Sequence, residues 1–149
     1  MASIIYDSFL ADMASGAANT SHSYKGMLVT SSYAEDRAAH SKRSSITNEV
    51  SGTGYTAGGV ALTLTASLNT TTHILTLTIP TATWASSTIT ARKLIVYRAR
   101  GGASSADELV ACIDNGADLV SSSSTMTWNA STWQIPLPAP VLISMAPSP

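Results

Sequence analysis

The sequence predicts an all-β protein, a β-sandwich or jelly roll of about eight short antiparallel strands with one short N-terminal helix. The main observation is the stretch 59–79, where apolar and polar residues alternate over two runs joined by the polar loop Asn69-Thr70-Thr71. This two-residue period is typical of half-buried strands, and two such runs predict a β-hairpin. Turn signals about every 8–15 residues favour a sandwich or jelly roll over βαβ units. The buried face of the hairpin is predicted to carry Val60, Leu62, Leu64, Ala66, Leu68, Leu75, Leu77 and Ile79.

Composition limits the classes of function that fit the chain. Its 149 residues suit about one domain. Only 11% of them are charged and the formal net charge is −1, which gives no electrostatic footprint for nucleic acid or a membrane surface. A surface so weakly charged favours a protein that works packed against other proteins. Cys112 is the single cysteine, so no disulfide forms within the chain, and we expect synthesis in a reducing cytoplasm without a signal peptide.

The N-terminal third is predicted to hold a helix, a strand and a loop. Residues 4–13 place Ile5, Phe9 and Met13 on one stripe of a helix that Ser3 caps and Gly16 ends. A first strand follows over 24–31. The charged stretch 33–43 lacks alternation and is predicted to be an exposed loop.

The rest of the folded part is predicted to consist of short strands. Four glycines between positions 52 and 59 indicate tight turns before the central hairpin. Strands are then predicted over 81–86, 92–100, 108–113 and 125–128, and both faces of strand 92–100 are expected to be covered. Asp114-Asn115-Gly116 is predicted to be a turn that ends a strand. Trp133 and Ile135 close the domain, which we place at residues 1–135.

Residues 136–149, here called the arm, differ in character from the domain. The arm carries five prolines in fourteen residues, and proline resists both helix and central strand. Its apolar middle, Val141-Leu142-Ile143, cannot bury itself. Two interpretations stay open: a segment without fixed structure, and an extended arm that lies on a partner.

No residue set predicts a reaction, a metal or a cofactor. His22, His40 and His73 lie apart, without a second ligand at metal-binding spacing, so a solvated position is favoured for His40. Cys112 lies within a strand and is predicted to be a buried, inert thiol. Gly52-Thr53-Gly54 leads into a strand and lacks the lysine of a phosphate-binding loop. We therefore expect a protein that is not an enzyme.

Two groups of side chains remain as candidate contacts. Arg92, Arg98 and Arg100 either bind an acidic partner or are solvated residues at strand ends. The three tryptophans, Trp84, Trp128 and Trp133, either form a sugar-binding platform or anchor a core or an interface. Core or interface anchors are favoured. Asp107-Glu108 is interpreted as an acidic pair that protects a strand edge.

Three stretches together resemble a known family. They are YDSFLADMASG, YKGMLVTSSYAEDRAAHSKRSSITNEVSGTGYTAGG and TWASSTITARKLIVYRARGGASSADELVACIDNGAD, which span residues 6–118. They are similar to small virion proteins found among the structural genes of tailed phages. The resemblance implies a structural protein, most plausibly a capsid cement (decoration) protein on the outer shell that joins neighbouring major capsid proteins.

The expected partners are the major capsid protein and further copies of this chain, with no nucleic acid and no membrane. We expect Phe9 and Leu10 to dock on the body or on a symmetry mate, and Val141–Ile143 to lie across an adjacent subunit. A tail or neck component and a carbohydrate-binding module of a host-attachment apparatus are the alternatives. The predicted partner-binding residues are Phe9, Leu10, Arg92, Arg98, Arg100, Trp133, Val141, Leu142 and Ile143.

Overall fold

The computed structural model describes residues 3–136, which form two antiparallel sheets and one short α-helix, so the chain is all-β as predicted. The large sheet has five strands in the order β1-β7-β6-β2-β3, and the small sheet has three in the order β4-β5-β8. The elements are β1 (Ile4–Ile5), α1 (Asp7–Ser15), β2 (Tyr24–Val29), β3 (Val60–Leu62), β4 (Thr65–Asn69), β5 (Ile74–Ile79), β6 (Ala82–Arg98), β7 (Leu109–Trp128) and β8 (Ser131–Pro136). No helix in this range is long and apolar enough to cross a membrane.

The centre of the large sheet is a hairpin of two long strands, which corrects the prediction of four short ones. Strand β6 has 17 residues and β7 has 20. Their pairing shifts register at four places without separating the two strands. At one of these places Ala91 pairs with Leu119 and Lys93 pairs with Asp114, so residues 115–118 project from the ladder. The predicted turn at Asp114 therefore interrupts the ladder without ending the strand.

The stretch predicted as one strand before the central loop divides between the two sheets. Strand β3 pairs with β2 in the large sheet, whereas β4 pairs with β5 in the small sheet. The chain crosses between them at Thr63 and Leu64, and the buried Leu64 side chain fixes the crossing. The second half of the prediction is confirmed, because Leu77 and Ile79 on β5 are buried. Asn69 closes the loop by accepting the backbone N–H groups of residues 71 and 72.

Both faces of β6 are covered, as predicted. Leu94 and Val96 join an apolar cluster to which both sheets contribute, while Ile95 and Tyr97 belong to a second cluster on the other face of the large sheet. Each such aliphatic side chain taken out of water stabilises the fold by about 1.5–3 kcal/mol. The large sheet therefore holds most of the apolar surface that stabilises the body.

The segment 33–43 is more deeply packed than predicted. Tyr33 is buried in the second cluster, and its carbonyl oxygen accepts a hydrogen bond of 2.8 Å from the Lys93 ammonium. Lys93 is also paired with Glu35. The prediction of an exposed loop is wrong for these residues, because a tyrosine and one carboxylate cover the outer face of the sheet while the charges beside them stay in water.

The N-terminal helix begins later than predicted. Ile4 and Ile5 form a strand that pairs with Cys112 and Ala111 of β7, so α1 starts only at Asp7. Ser3 does not cap it, since its hydroxyl accepts the N–H of Asp114 instead. The helix ends as predicted, where the following glycine adopts the left-handed conformation at φ 80°.

The glycine-rich stretch before β3 forms the tight turns that the sequence predicts. Gly59 has φ 78°, and a Cβ built there would lie 1.8 Å from the carbonyl oxygen of Gly26. Only glycine permits this close approach of two backbones. The turn is further held by the Tyr97 hydroxyl, which donates to the carbonyl of Gly58 at 2.6 Å.

Candidate docking surface

The two N-terminal candidates, Phe9 and Leu10, both lie on α1 but differ in exposure. Phe9 is 4% exposed and packs in the main core, so it contacts its own body. Leu10 follows it on the helix and is 37% exposed. Leu10 is thus available to a partner, whereas Phe9 has an intramolecular role.

Two of the three candidate arginines are held in ion pairs within the chain. Arg92 donates to Asp114 at 2.7 Å, and this hydrogen bond raises the pKa of its guanidinium. Arg100 donates to both carboxylate oxygens of Glu108, at 3.0 and 2.9 Å from Nε, which raises its pKa in the same way. Among the described residues, Arg98 donates only to the backbone carbonyl of Ala17, at 3.3 Å. A role for these three residues in partner binding stays a prediction.

The tryptophans do not form a common platform. Trp84 and Trp128 are 3% and 4% exposed and belong to the main core. Trp133 is half-buried on β8, where it lies opposite Leu77. The favoured interpretation as core anchors is confirmed for the first two. Val141, Leu142 and Ile143 lie outside the described residues.

The acidic pair Asp107-Glu108 lies in the β6–β7 loop and joins that loop to the segment before β3. Asp107 is buried, accepts from Arg43 at 2.7 Å and also accepts the backbone N–H of Arg100 at 2.8 Å. Glu108 lies between Arg100 and Lys42, and its hydrogen bond with Arg100 lowers the pKa of its carboxyl to about 2. These pairs tie the loop to the segment before β3.

A buried polar network lies under the outer face of the large sheet. The hydroxyls of Tyr6 and Tyr33 are 2.9 Å apart, and the Tyr33 hydroxyl is 2.9 Å from Nδ1 of His40. Burial raises the pKa of Tyr33 to about 12 and that of the Cys112 thiol to about 12. A thiol held neutral at physiological pH is a poor nucleophile. The network therefore packs segment 33–43 on the sheet, and His40 is a part of it and not a solvated residue.

An apolar groove lies between α1 and the small sheet. Its volume is about 340 Å³. One wall is the helix, with Met13 and the segment that follows it, and the other is the inner face of the small sheet. No charged side chain lines it within residues 3–136. The lining residues are Phe9, Met13, Ala18, Asn19, Thr20, Tyr24, Leu64, Ala66, Leu75, Leu77 and Ile135.

The register of the small sheet explains why the groove is apolar. Opposite residues of an antiparallel pair share a face, so Leu68, Leu75 and Ile135 form one row across the sheet. The next row is Ala66, Leu77 and Trp133. The main core buries Leu77, but α1 has only nine residues and leaves the outer row half-covered. Leu68 is 55% exposed.

The edge of the small sheet beside the groove is open. Strand β4 lies at the end of the described sheet and pairs only with β5 there. All five of its residues are exposed. Sequence reasoning missed this surface because it assigned Leu68 to a buried face. The sequence signal for the row is present, since Leu68, Leu75 and Ile135 alternate with polar residues, but the short helix that leaves it uncovered is visible only in the fold.

Comparison with protein-family models, with curated proteins and with solved structures finds no match to this chain. Among the side chains of residues 3–136, no group of three or more His, Cys, Asp or Glu is placed to hold a metal ion. The groove and the open β4 edge are exposed features of the described residues that offer apolar surface and backbone groups to a partner.

Proposed function

We propose that the protein is a non-enzymatic structural component of a tailed-phage virion, a cement protein that binds the outside of the capsid. It stabilises contacts between major capsid proteins and is made in the host cytoplasm. The resemblance of residues 6–118 to small virion proteins supports the virion assignment. The low charge and the surface of the small sheet support a role in binding other proteins.

The observation that carries the proposal is the small sheet, with its open edge and its uncovered apolar row. A five-residue edge strand offers unpaired backbone N–H and C=O groups for strand addition. Leu68 and the adjoining groove offer apolar surface to bury. Repeated over many symmetric copies, modest contacts of this kind give strong overall binding.

The finer fold assignment belongs to the same proposal. We favour a β-sandwich, because residues of both sheets meet in one apolar cluster. The hairpins β4–β5 and β6–β7 each stay within one sheet. The connections β3–β4, β5–β6 and β7–β8 pass between the sheets.

The assignment as a non-enzyme rests on how the reactive groups are placed. Cys112 is buried and its thiol pKa is raised. Asp107, Glu108 and Asp114 are each engaged by an arginine. The groove is lined mainly by aliphatic and aromatic side chains, which suits an apolar segment better than a reacting substrate.

Copy number in purified particles tests the proposal. The chain is added to capsids assembled without it, the particles are purified by sedimentation, and bound chain is counted against major capsid protein on a stained gel. A cement protein is expected to bind at a fixed ratio near the number of capsid subunits, hundreds per particle. A few copies per particle would support the tail or neck alternative, and no binding would contradict a virion role on the shell.

The carbohydrate-binding alternative is less well supported by the geometry. A sugar platform needs aromatic rings that lie flat and exposed beside polar groups. Trp84 and Trp128 are buried, which leaves Trp133 as the only tryptophan of the three with a partly exposed ring. Loss of glycan binding in Trp133→Ala would support that alternative, while a chain that binds no glycan would exclude it.

A further inference from the structure

We propose that the apolar groove between α1 and the small sheet is the receptor for the arm of a second copy of this chain, with Val141, Leu142 and Ile143 as the inserted side chains. The inference deepens the proposed function, because it names where one copy holds the next. It can be tested in solution without capsids, so its failure and the failure of the capsid assignment are distinguishable.

The chemistry of the arm matches that of the groove. The arm has no charged residue, and its middle is three consecutive aliphatic side chains. The groove is also without charge in its described lining, and Leu75, Leu77 and Ile135 form its sheet wall. A site of about 340 Å³ with such a lining takes up aliphatic side chains and gains free energy by removing both surfaces from water.

The arm also starts beside the groove. Strand β8 ends at Pro136, directly after the groove residue Ile135, and 13 further residues follow in the sequence. The start of the arm therefore lies next to the outermost apolar row, at the end of the small sheet where Ile74 pairs with Pro136. No other part of the sequence outside the described residues is both apolar and of this length.

The prolines favour a groove on a second copy over the chain's own groove. Entering its own groove would require the arm to reverse direction within the residues 136–140. Three of those five residues are proline, which favours extended backbone at about 3.1 Å per residue and resists a reversal. Five residues at that rise span about 15 Å, which is enough to reach a second copy. Insertion of each arm into the groove of the next copy would generate a closed or extended assembly.

The first test compares masses of full-length variants in solution by light scattering across a concentration series. The Leu142→Asp variant is expected to self-associate about a hundredfold more weakly than the wild type, since a carboxylate cannot enter the apolar groove. Ser144→Asp, which adds the same charge outside the three inserted residues, is the matched control and keeps the wild-type mass.

The receptor side is tested on neighbouring positions of one exposed strand. Ala66→Lys puts an ammonium into the groove, whereas Ser67→Lys puts it on the opposite face of β4. Ala66→Lys is expected to be monomeric and Ser67→Lys to behave as the wild type. Circular dichroism tests whether each variant is folded. If Ala66→Lys does not fold, the Leu142→Asp variant tests the proposal alone.

Mixing the Ala66→Lys and Leu142→Asp variants distinguishes arm exchange between copies from binding of the arm within one copy. Ala66→Lys keeps an intact arm and Leu142→Asp keeps an intact groove, so an equimolar mixture is expected to form a heterodimer although each alone is monomeric. A wild-type chain that is monomeric at all concentrations, a Leu142→Asp variant with wild-type mass, or a mixture that stays monomeric would each overturn the proposal.

Discussion

The two sheets of this protein differ in how completely other elements cover them. The large sheet is covered on both faces, by the small sheet and α1 on one side and by the segment between β2 and β3 on the other. Within residues 3–136, the small sheet is covered on one face only, and incompletely, and its edge strand β4 is exposed throughout. One sheet therefore supplies the stability of the body, and the other keeps apolar surface and backbone groups available for binding.

The difference shows that an alternating or apolar pattern in the sequence does not by itself distinguish a side chain that becomes buried from one that stays exposed. Leu68 and Leu94 both belong to alternating or apolar strand patterns. Leu94 is 1% exposed, and Leu68 is 55% exposed. What separates them is how many elements pack over each position, because Leu94 lies in the cluster to which both sheets contribute, whereas the nine-residue α1 is too short to cover the row of Leu68.

The largest loss of stability is expected at the buried ion pair between Lys93 and Glu35, which lies on the outer face of the large sheet. The side chains of Lys93 and Glu35 are only 4% and 8% exposed. Lys93→Met leaves a buried carboxylate without its cation and is expected to lower the free energy of unfolding by about 3–5 kcal/mol in urea titrations. The double variant Lys93→Met, Glu35→Met should recover much of that loss. A loss below about 1 kcal/mol in the single variant would show that the segment 33–43 does not depend on the pair.

A matched pair of leucines compares the two sheets directly. Leu94→Ala removes a side chain from the fully buried centre of the large sheet and should cost about 2–5 kcal/mol of unfolding free energy. Leu68→Ala, on the exposed row of the small sheet, should cost less than about 0.5 kcal/mol. Equal losses in urea titrations would contradict the division into a stabilising and a binding sheet.

A smaller effect is expected from a single hydroxyl in the tyrosine network. Tyr6→Phe removes the hydroxyl that lies 2.9 Å from that of Tyr33, while Tyr33 keeps its contact with His40. The expected loss is about 0.5–1.5 kcal/mol, the usual net contribution of one hydrogen bond. An unchanged urea midpoint would indicate that the Tyr6 hydroxyl adds nothing to the packing of segment 33–43.

The smallest effect, and one confined to acid, is expected at Glu108. Hydrogen bonding to Arg100 holds its pKa at about 2 in the folded chain, below the usual 4.5. A lowered folded pKa stabilises the fold fully above about pH 4.5 and progressively less as pH falls towards 2. Wild type should therefore be more stable than Glu108→Gln at neutral pH, with the gap closing between pH 4.5 and 2. A stability difference between wild type and Glu108→Gln that stays constant from pH 4.5 to 2 would show that the Glu108–Arg100 pair does not cause it.

Much of the fold follows from local pattern. The alternation around Leu28 predicts β2 and its two faces, that around Leu77 predicts β5, and Gly16 marks the end of the helix. The division at Leu64 was not predictable in this way, because the alternation continues unchanged while the chain passes from one sheet to the other. The burial of Tyr33 depends on Lys93, which lies 60 positions away in the sequence, and no local signal reports such a partner.

The candidate site follows from the sequence only in part. Leu10 was predicted as a contact and is exposed. Arg92 and Arg100 were predicted as contacts too, but acidic residues elsewhere on β7 and in its preceding loop hold them. The groove could not be predicted, since it is formed by the meeting of a helix end with strands 50 to 120 positions further along the chain.

Chemical cross-linking between the arm and the groove tests the central claim most directly, that the small sheet is the surface by which copies hold one another. A full-length chain with Ala66→Cys and Leu142→Cys is treated with a short bismaleimide, with Ser67→Cys and Leu142→Cys as the control; Cys112 is buried and does not interfere. We predict a ladder of linked dimers and higher oligomers on a denaturing gel for the first variant and little for the control. A monomer band alone, or equal ladders from both variants, would contradict the claim.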